Sequence, residues 1–271
     1  MRFRVIAGLI IAAGIVLPAP AGAAGESPDL YQVRVLVTGQ GAENRDDALQ
    51  RGLAGVLIKV SGDPEIAAAA HGLAAAPLVK DFRYRDLMAG IPVHDEQGTR
   101  QRPYEMTIDF DPGKVDAALA RLGETAWKGE RPRIAVFVAV RNGDASYVLS
   151  SDGTRGIDQR DSLAAAAWSA GLPIVLPTAA DLARMDFSAD TFTSTDPERL
   201  IAPAAGGVVL AGRLVWDAAM LGWAADWRLA EPGGDRGVDR AWHRDKVSFD
   251  EAFRAGMRGA AAILSGHDRA N

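Results

Sequence analysis

Residues 31–62 read YQVRVLVTGQGAENRDDALQRGLAGVLIKVSG, and within them the hydrophobic period changes once. From Tyr31 to Thr38 it is two: Val33, Val35 and Val37 share one face, with Gln32, Arg34 and Thr38 on the other. That is the pattern of a half-buried strand. From Asn44 to Lys59 the period is helical, gathering Ala48, Leu49, Leu53, Val56, Leu57 and Val60 opposite Arg45, Asp46, Asp47, Gln50 and Arg51. Asn44 is placed to cap this helix and Gly62 to stop it. A strand joined to an amphipathic helix by a short glycine turn commits the chain to helices packed on sheets.

The join itself, Gly39-Gln40-Gly41, has half of a dinucleotide-binding fingerprint. The full motif needs a third glycine for close helix packing and an acidic residue near the end of the following strand. Here Asn44 stands at the third position, Asp63 lies beyond the helix, and Glu43 brings negative charge to the helix start. A phosphate needs free amides and no competing carboxylate there. The stretch reads as a plain strand–turn–helix join.

Further along, an alanine-rich run over 67–84 reads as a second helix, interrupted near Pro77. Residues 104–110 alternate, with Tyr104, Met106, Ile108 and Phe110 on one face. Asp111-Pro112 then opens a helix with Asp as N-cap and Pro in its first turn, ending at Gly123. Residues 127–132 (WKGERP) are polar and turn-rich, as expected of a linker. Residues 133–140 are apolar throughout their middle, like a strand buried on both faces. A helix over 158–170, a short strand over 173–176 and a short helix capped by Thr178 follow, with another short helix expected over 196–202. Strands are expected over 207–216, 223–230 and 241–247, the first two joined by a turn at Leu221-Gly222. Ser248-x-x-Glu251 is a capping box opening a last helix that stops at Gly266. The loop 91–102, with Pro92, Gly98 and several charges, is expected to be mobile.

The fold class expected is α/β (α+β), as two small mixed-sheet domains with helices packed on the sheets. The division is a signal peptide over 1–23, an N-terminal domain over 24–126, a linker over 127–132, a C-terminal domain over 133–267 and a tail over 268–271. The signal peptide rests on Arg2 and Arg4, the apolar run from Val5 to Leu17, and Ala21-Gly22-Ala23 as the cleavage motif. The apolar run is shorter than the roughly 20 residues of a spanning helix; retention as an N-terminal anchor is the alternative. Export would place the chain in the periplasm. Cleavage would leave 28 Lys and Arg against 35 Asp and Glu, a charge near −7. That argues against nucleic acid as a partner. No stable membrane insertion is expected after cleavage. The absence of cysteine excludes disulfides, thiolate metal sites and a lipid-bearing cysteine.

The stretches LQRGLAGVLIKVSGD (49–63), PYEMTIDFDPGKV (103–115), W-x3-RPRIAVFVAV (127–140), GLPIVLPTAADL (171–182) and VVLAGRLVWDAAMLGWAADWRL (208–229) together carry a resemblance. In their order the chain resembles the bacterial domain of unknown function family 2066. The resemblance implies an envelope protein of α/β architecture and supplies no chemistry.

No cofactor, metal or catalytic set emerges. The histidines at 71, 94, 243 and 267 have no metal-ligand spacing, and His267 falls in a tail expected to fray. Gly-x-Ser-x-Gly and Ser-x-x-Lys are absent. Asp109 and Asp111 read as an outward strand residue and a helix cap, and Asp144 and Asp152 as turn residues. Trp216, Trp223, Trp227 and Trp242 cluster in the C-terminal strands. They are the candidate partner-binding surface, for which another envelope protein would be the partner; core packing is the competing, and favoured, reading. The expectation is a non-catalytic periplasmic binding or accessory protein. The alternatives are a carboxylate-dependent envelope hydrolase and a small-ligand binder with an interdomain pocket.

Overall fold

A computed structural model describes residues 29–91, 102–191, 207–231 and 239–267, with the backbone of 94–95 and 98–99. Residues 1–23, the helix expected over 196–202, most of the loop 91–102 and the tail 268–271 lie outside the described residues.

The first half is a three-stranded antiparallel sheet in the order β1-β5-β2. Its strands are β1 (Gln32–Thr38), β2 (Val79–Asp86) and β5 (Pro103–Phe110). The short pair β3 (His94–Asp95) and β4 (Gly98–Thr99) lies between the last two in sequence. Helices α1 (Ala42–Ser61), α2 (Ile66–Ala70) and α3 (Pro112–Arg121) complete it. The register sets Val33 opposite Ile108 and Val35 opposite Met106. These side chains are buried against Leu53, Val56, Leu57 and Val60 of α1 and Val115, Ala118 and Leu119 of α3. Alternation in the strands and the 3.6 period in α1 are therefore two halves of one core.

Two local boundaries differ from expectation. Helix α1 starts at Ala42, with Gly41 as its N-cap, and Asn44 instead donates from Nδ2 to the Thr38 carbonyl. Residues 79–84 are strand, not the continuation of an alanine-rich helix. The helix α2 stops at Ala70, Pro77 sits in a 3-10 turn over Ala76–Leu78, and Val79–Asp86 pairs with β5 as an edge strand. The unpaired edge of β5 decides this, since pairing and packing override local propensity.

The second half is a six-stranded sheet in the order β11-β10-β9-β6-β7, with β8 also pairing β6. Its strands are β6 (Ile134–Asn142), β7 (Ala145–Val148), β8 (Ile174–Val175), β9 (Val208–Asp217), β10 (Gly222–Ala230) and β11 (Asp239–Val247). The sheet is mixed: β6 runs parallel to β8 and β9, and the other pairs are antiparallel. Helices α4 (Ile157–Ala170) and α6 (Phe249–Leu264) cover one face, and α5 (Ala179–Arg184) lies over the other. Residues of β6 are buried on both faces, as its continuous apolar run requires. Strand β7 had no sequence signal of its own; its four residues pair with the end of β6. The caps expected at Asp111, Thr178 and Ser248 all form, each side-chain oxygen accepting a backbone N–H of the first turn. The fold is α+β.

Candidate functional site

Three places bear on function: the four C-terminal tryptophans, the junction between the two sheets, and a recess on the far face of the larger sheet.

Trp223 and Trp227 point the same way from β10, into the core beneath α6. Trp227 is 1% exposed and packs at 6.2 Å from Phe253. Two glycines make room for its ring: a Cβ on Gly212 would lie 2.3 Å from it, and one on Gly256 2.6 Å. Trp216 and Trp242 are half-buried at the margins of the same core. The Trp242 indole N–H donates to the Ala255 carbonyl at 3.3 Å, and Trp216 meets Trp223 edge to face at 5.5 Å. A partner could reach only Trp216 and Trp242, so the four do not form one surface.

Histidines are more engaged than expected. His243 pairs across strands with Asp226 at 2.7 Å. His71 contacts the Ala68 carbonyl through Nδ1 at 3.2 Å. His267 does not fray: its backbone N–H donates to Ala262, and its ring contacts Ser265 and Glu124. Asp109 holds Gln32 and Arg83 on the two flanking strands, and Asp111 caps α3. Asp152 accepts the Ala179 N–H at 2.8 Å, which holds its carboxyl below the usual range. Asp144 lies in the β6–β7 turn. Gly39, at φ 98°, and Gly41 form the join between β1 and α1.

The junction carries groups that no motif announced. Arg131 donates from Nη2 to the carbonyls of Lys59 (2.6 Å) and Val60 (3.3 Å). From Nη1 it donates to Ala170 (3.0 Å) and Gly171 (3.3 Å). One guanidinium thus satisfies carbonyls at the C-terminal ends of α1 and α4, where the helix dipoles favour a cation. Its face stacks on Trp127 at 4.2 Å, and burial lowers its pKa to about 10. Lys59 is fully buried, donates to the Gln32 carbonyl at 3.0 Å, and lies 3.5 Å from the centre of the Trp168 ring. Burial lowers its pKa to about 7; Arg131 and Arg34 push the same way and Asp29 opposes. Tyr31 donates to Asp116 at 2.9 Å, and burial with that carboxylate raises its pKa to about 12. These groups fill the junction. A space of about 70 Å³ between α1, α4 and α6, lined in part by Gly55, Ala166 and Arg258, is too small for an organic ligand.

The recess is larger, about 420 Å³, and lies against α5. Ala135 and Phe137 of β6 line it together with Val175, Leu176, Pro177 and Met185. Asp181 and Arg184, an ion pair, complete the lining. Hydrogen bonds from Thr178 hold the Asp181 carboxyl below the usual range, so this carboxylate stays ionised.

Residues 24–128, less than half of the chain, match a family described as a domain of unknown function (DUF8605). This corrects the resemblance to family 2066: the matching family is a different one. The order of strands and helices behind that resemblance is general to helix-on-sheet chains and does not single out a family. No curated protein matches the chain. No solved structure matches it.

Proposed function

We propose that the protein is a non-catalytic binding protein of the cell envelope, and that its ligand sits in the recess beside α5. The recess carries this reading. Its volume falls in the range of small-molecule sites, roughly 300–1,000 Å³, and its lining is mostly apolar, with one ion pair, Asp181–Arg184. A ligand with a short apolar body and one polar end fits that chemistry. The junction supports an interdomain pocket less well, because Arg131, Lys59 and Trp168 occupy it. A carboxylate-dependent hydrolase needs a general acid whose pKa is raised. Among the described residues the displaced carboxyls, those of Asp86, Asp152, Asp181 and Asp239, are all lowered, each by hydrogen bonds to its ionised form. The envelope assignment rests on the N-terminal export signal read from the sequence.

The test is titration of the mature chain with the fluorescent probe 1-anilinonaphthalene-8-sulfonate, an apolar body bearing one sulfonate. Saturable binding that Ala135→Phe and Val175→Phe each abolish, with melting temperatures unchanged, supports the recess as the site. Binding that survives both substitutions contradicts it.

A further inference from the structure

We propose that Asp63, Glu124 and His267 form a site for a divalent transition-metal ion that ties the end of the chain to the first half of the fold. One ligand atom from each residue lies within 4.8 Å of the other two. Each residue follows a helix end by no more than three positions: Asp63 after α1, Glu124 after α3 and His267 after α6. Helix C-termini carry partial negative charge. Two carboxylates and three such ends therefore converge on one imidazole.

The hydrogen bonds around His267 fix which nitrogen faces the carboxylate. Ser265 Oγ donates its single proton to the Ala262 carbonyl at 3.2 Å. Its oxygen also lies 2.9 Å from His267 Nδ1 and can accept a hydrogen from it, in the tautomer that leaves Nε2 free to bind an ion. In that tautomer the Nε2 lone pair faces Glu124 Oε2 at 3.2 Å. A metal ion beside Nε2 and the carboxylate would take the place of the hydrogen that can otherwise bridge them. An imidazole whose other nitrogen donates to a neighbouring acceptor is the usual form of a histidine ligand.

The remaining geometry is also fixed. Asp63 is 4% exposed. Its backbone N–H donates to Ser61 Oγ, and its Oδ1 accepts from Glu65 N. Gly62 has φ 81°, and a Cβ there would lie 2.4 Å from Ser265 Oγ, so the two chain segments bearing Asp63 and His267 are in close contact. Glu124 and His267 are about one quarter exposed, which leaves a path for the ion. A tetrahedral ion bound at about 2.1 Å holds its ligand atoms about 3.4 Å apart. Closing the triad from 4.8 Å is within reach of side-chain rotation. One nitrogen and two carboxylates suit Zn²⁺ and its neighbours. Calcium, which takes six to eight oxygens, and magnesium, which keeps its octahedral water, fit poorly.

The test uses the untagged mature chain, freed of metal by a chelator and titrated calorimetrically with Zn²⁺. One equivalent is expected to bind, with affinity at least tenfold lower in His267→Gln and Asp63→Asn and unchanged in His243→Ala. Zn²⁺ is also expected to raise the melting temperature of the wild type and not of the two site variants, since only the folded state binds. Mg²⁺ at the same concentration is expected to do neither. Absence of Zn²⁺ binding by the folded wild type, or binding that His267→Gln and Asp63→Asn leave intact, overturns the proposal.

Discussion

The ammonium of Lys59 lies 3.5 Å from the centre of the Trp168 ring, joining α1 of the first half to α4 of the second. Arg34 approaches the same ring at 4.3 Å. Two cations thus share one aromatic platform, and the buried one gives up charge more readily. The ring face and the Gln32 carbonyl favour the ammonium, while burial disfavours it more strongly.

Stability should therefore rise with pH through the neutral range. In the unfolded chain Lys59 holds its proton up to about 10.5, and in the folded state only up to about 7. Between those values the unfolded state binds more protons, so raising the pH favours folding. The full displacement corresponds to something on the order of 5 kcal/mol. Urea unfolding of the wild type at pH 6.5 and 9.5, compared with Lys59→Met, measures it. The difference between the two proteins should shift toward the wild type at pH 9.5. An unchanged difference would mean that Lys59 titrates as it does in water. The window ends short of Tyr31, whose raised pKa withdraws stability only above 10.

Arg131→Ala should lower stability by about 2–4 kcal/mol, because it strands carbonyls of two helix ends and removes the cover of Trp127. Arg131→Lys should recover only part of that. A single ammonium lacks the planar fork that reaches both helix ends. Chemical denaturation of the three proteins checks the order.

Gly256→Ala should destabilise although it lies in a helix, where alanine gains about 1 kcal/mol over glycine. The added Cβ would meet the Trp227 ring at 2.6 Å, and overpacking of this kind costs about 1–3 kcal/mol. In a Trp227→Leu background the same substitution should become neutral or stabilising. A double-mutant cycle in urea reads the coupling, and strict additivity would refute the steric account.

Asp111→Ala should cost about 1 kcal/mol, since Asp111 accepts the Lys114 N–H at the start of α3. Asp111→Asn should cost much less, and thermal melts distinguish the two.

Much of the scaffold was legible because its signals were local. The alternation in 31–38 and 104–110, the helical period of 44–59 and the caps at Asp111, Thr178 and Ser248 each became the expected element. The misses share a non-local cause. Strand β2 follows an alanine run and exists because β5 offers it an edge. His267 looked like tail, but Glu124, far away in sequence, holds it. Lys59 sits on the buried flank of α1 beside Val60, and nothing in its helix shows that Trp168 completes its surroundings. The recess combines β6, β8 and α5, three segments whose meeting no periodicity encodes.

The measurement that bears most directly on the account is native mass spectrometry of the chain, purified without detergent from the cells that produce it. The account predicts a bound small molecule on the wild type, released on denaturation, and its loss from correctly folded Ala135→Phe. A wild-type spectrum showing only the bare chain, or an adduct that Ala135→Phe retains, would contradict it.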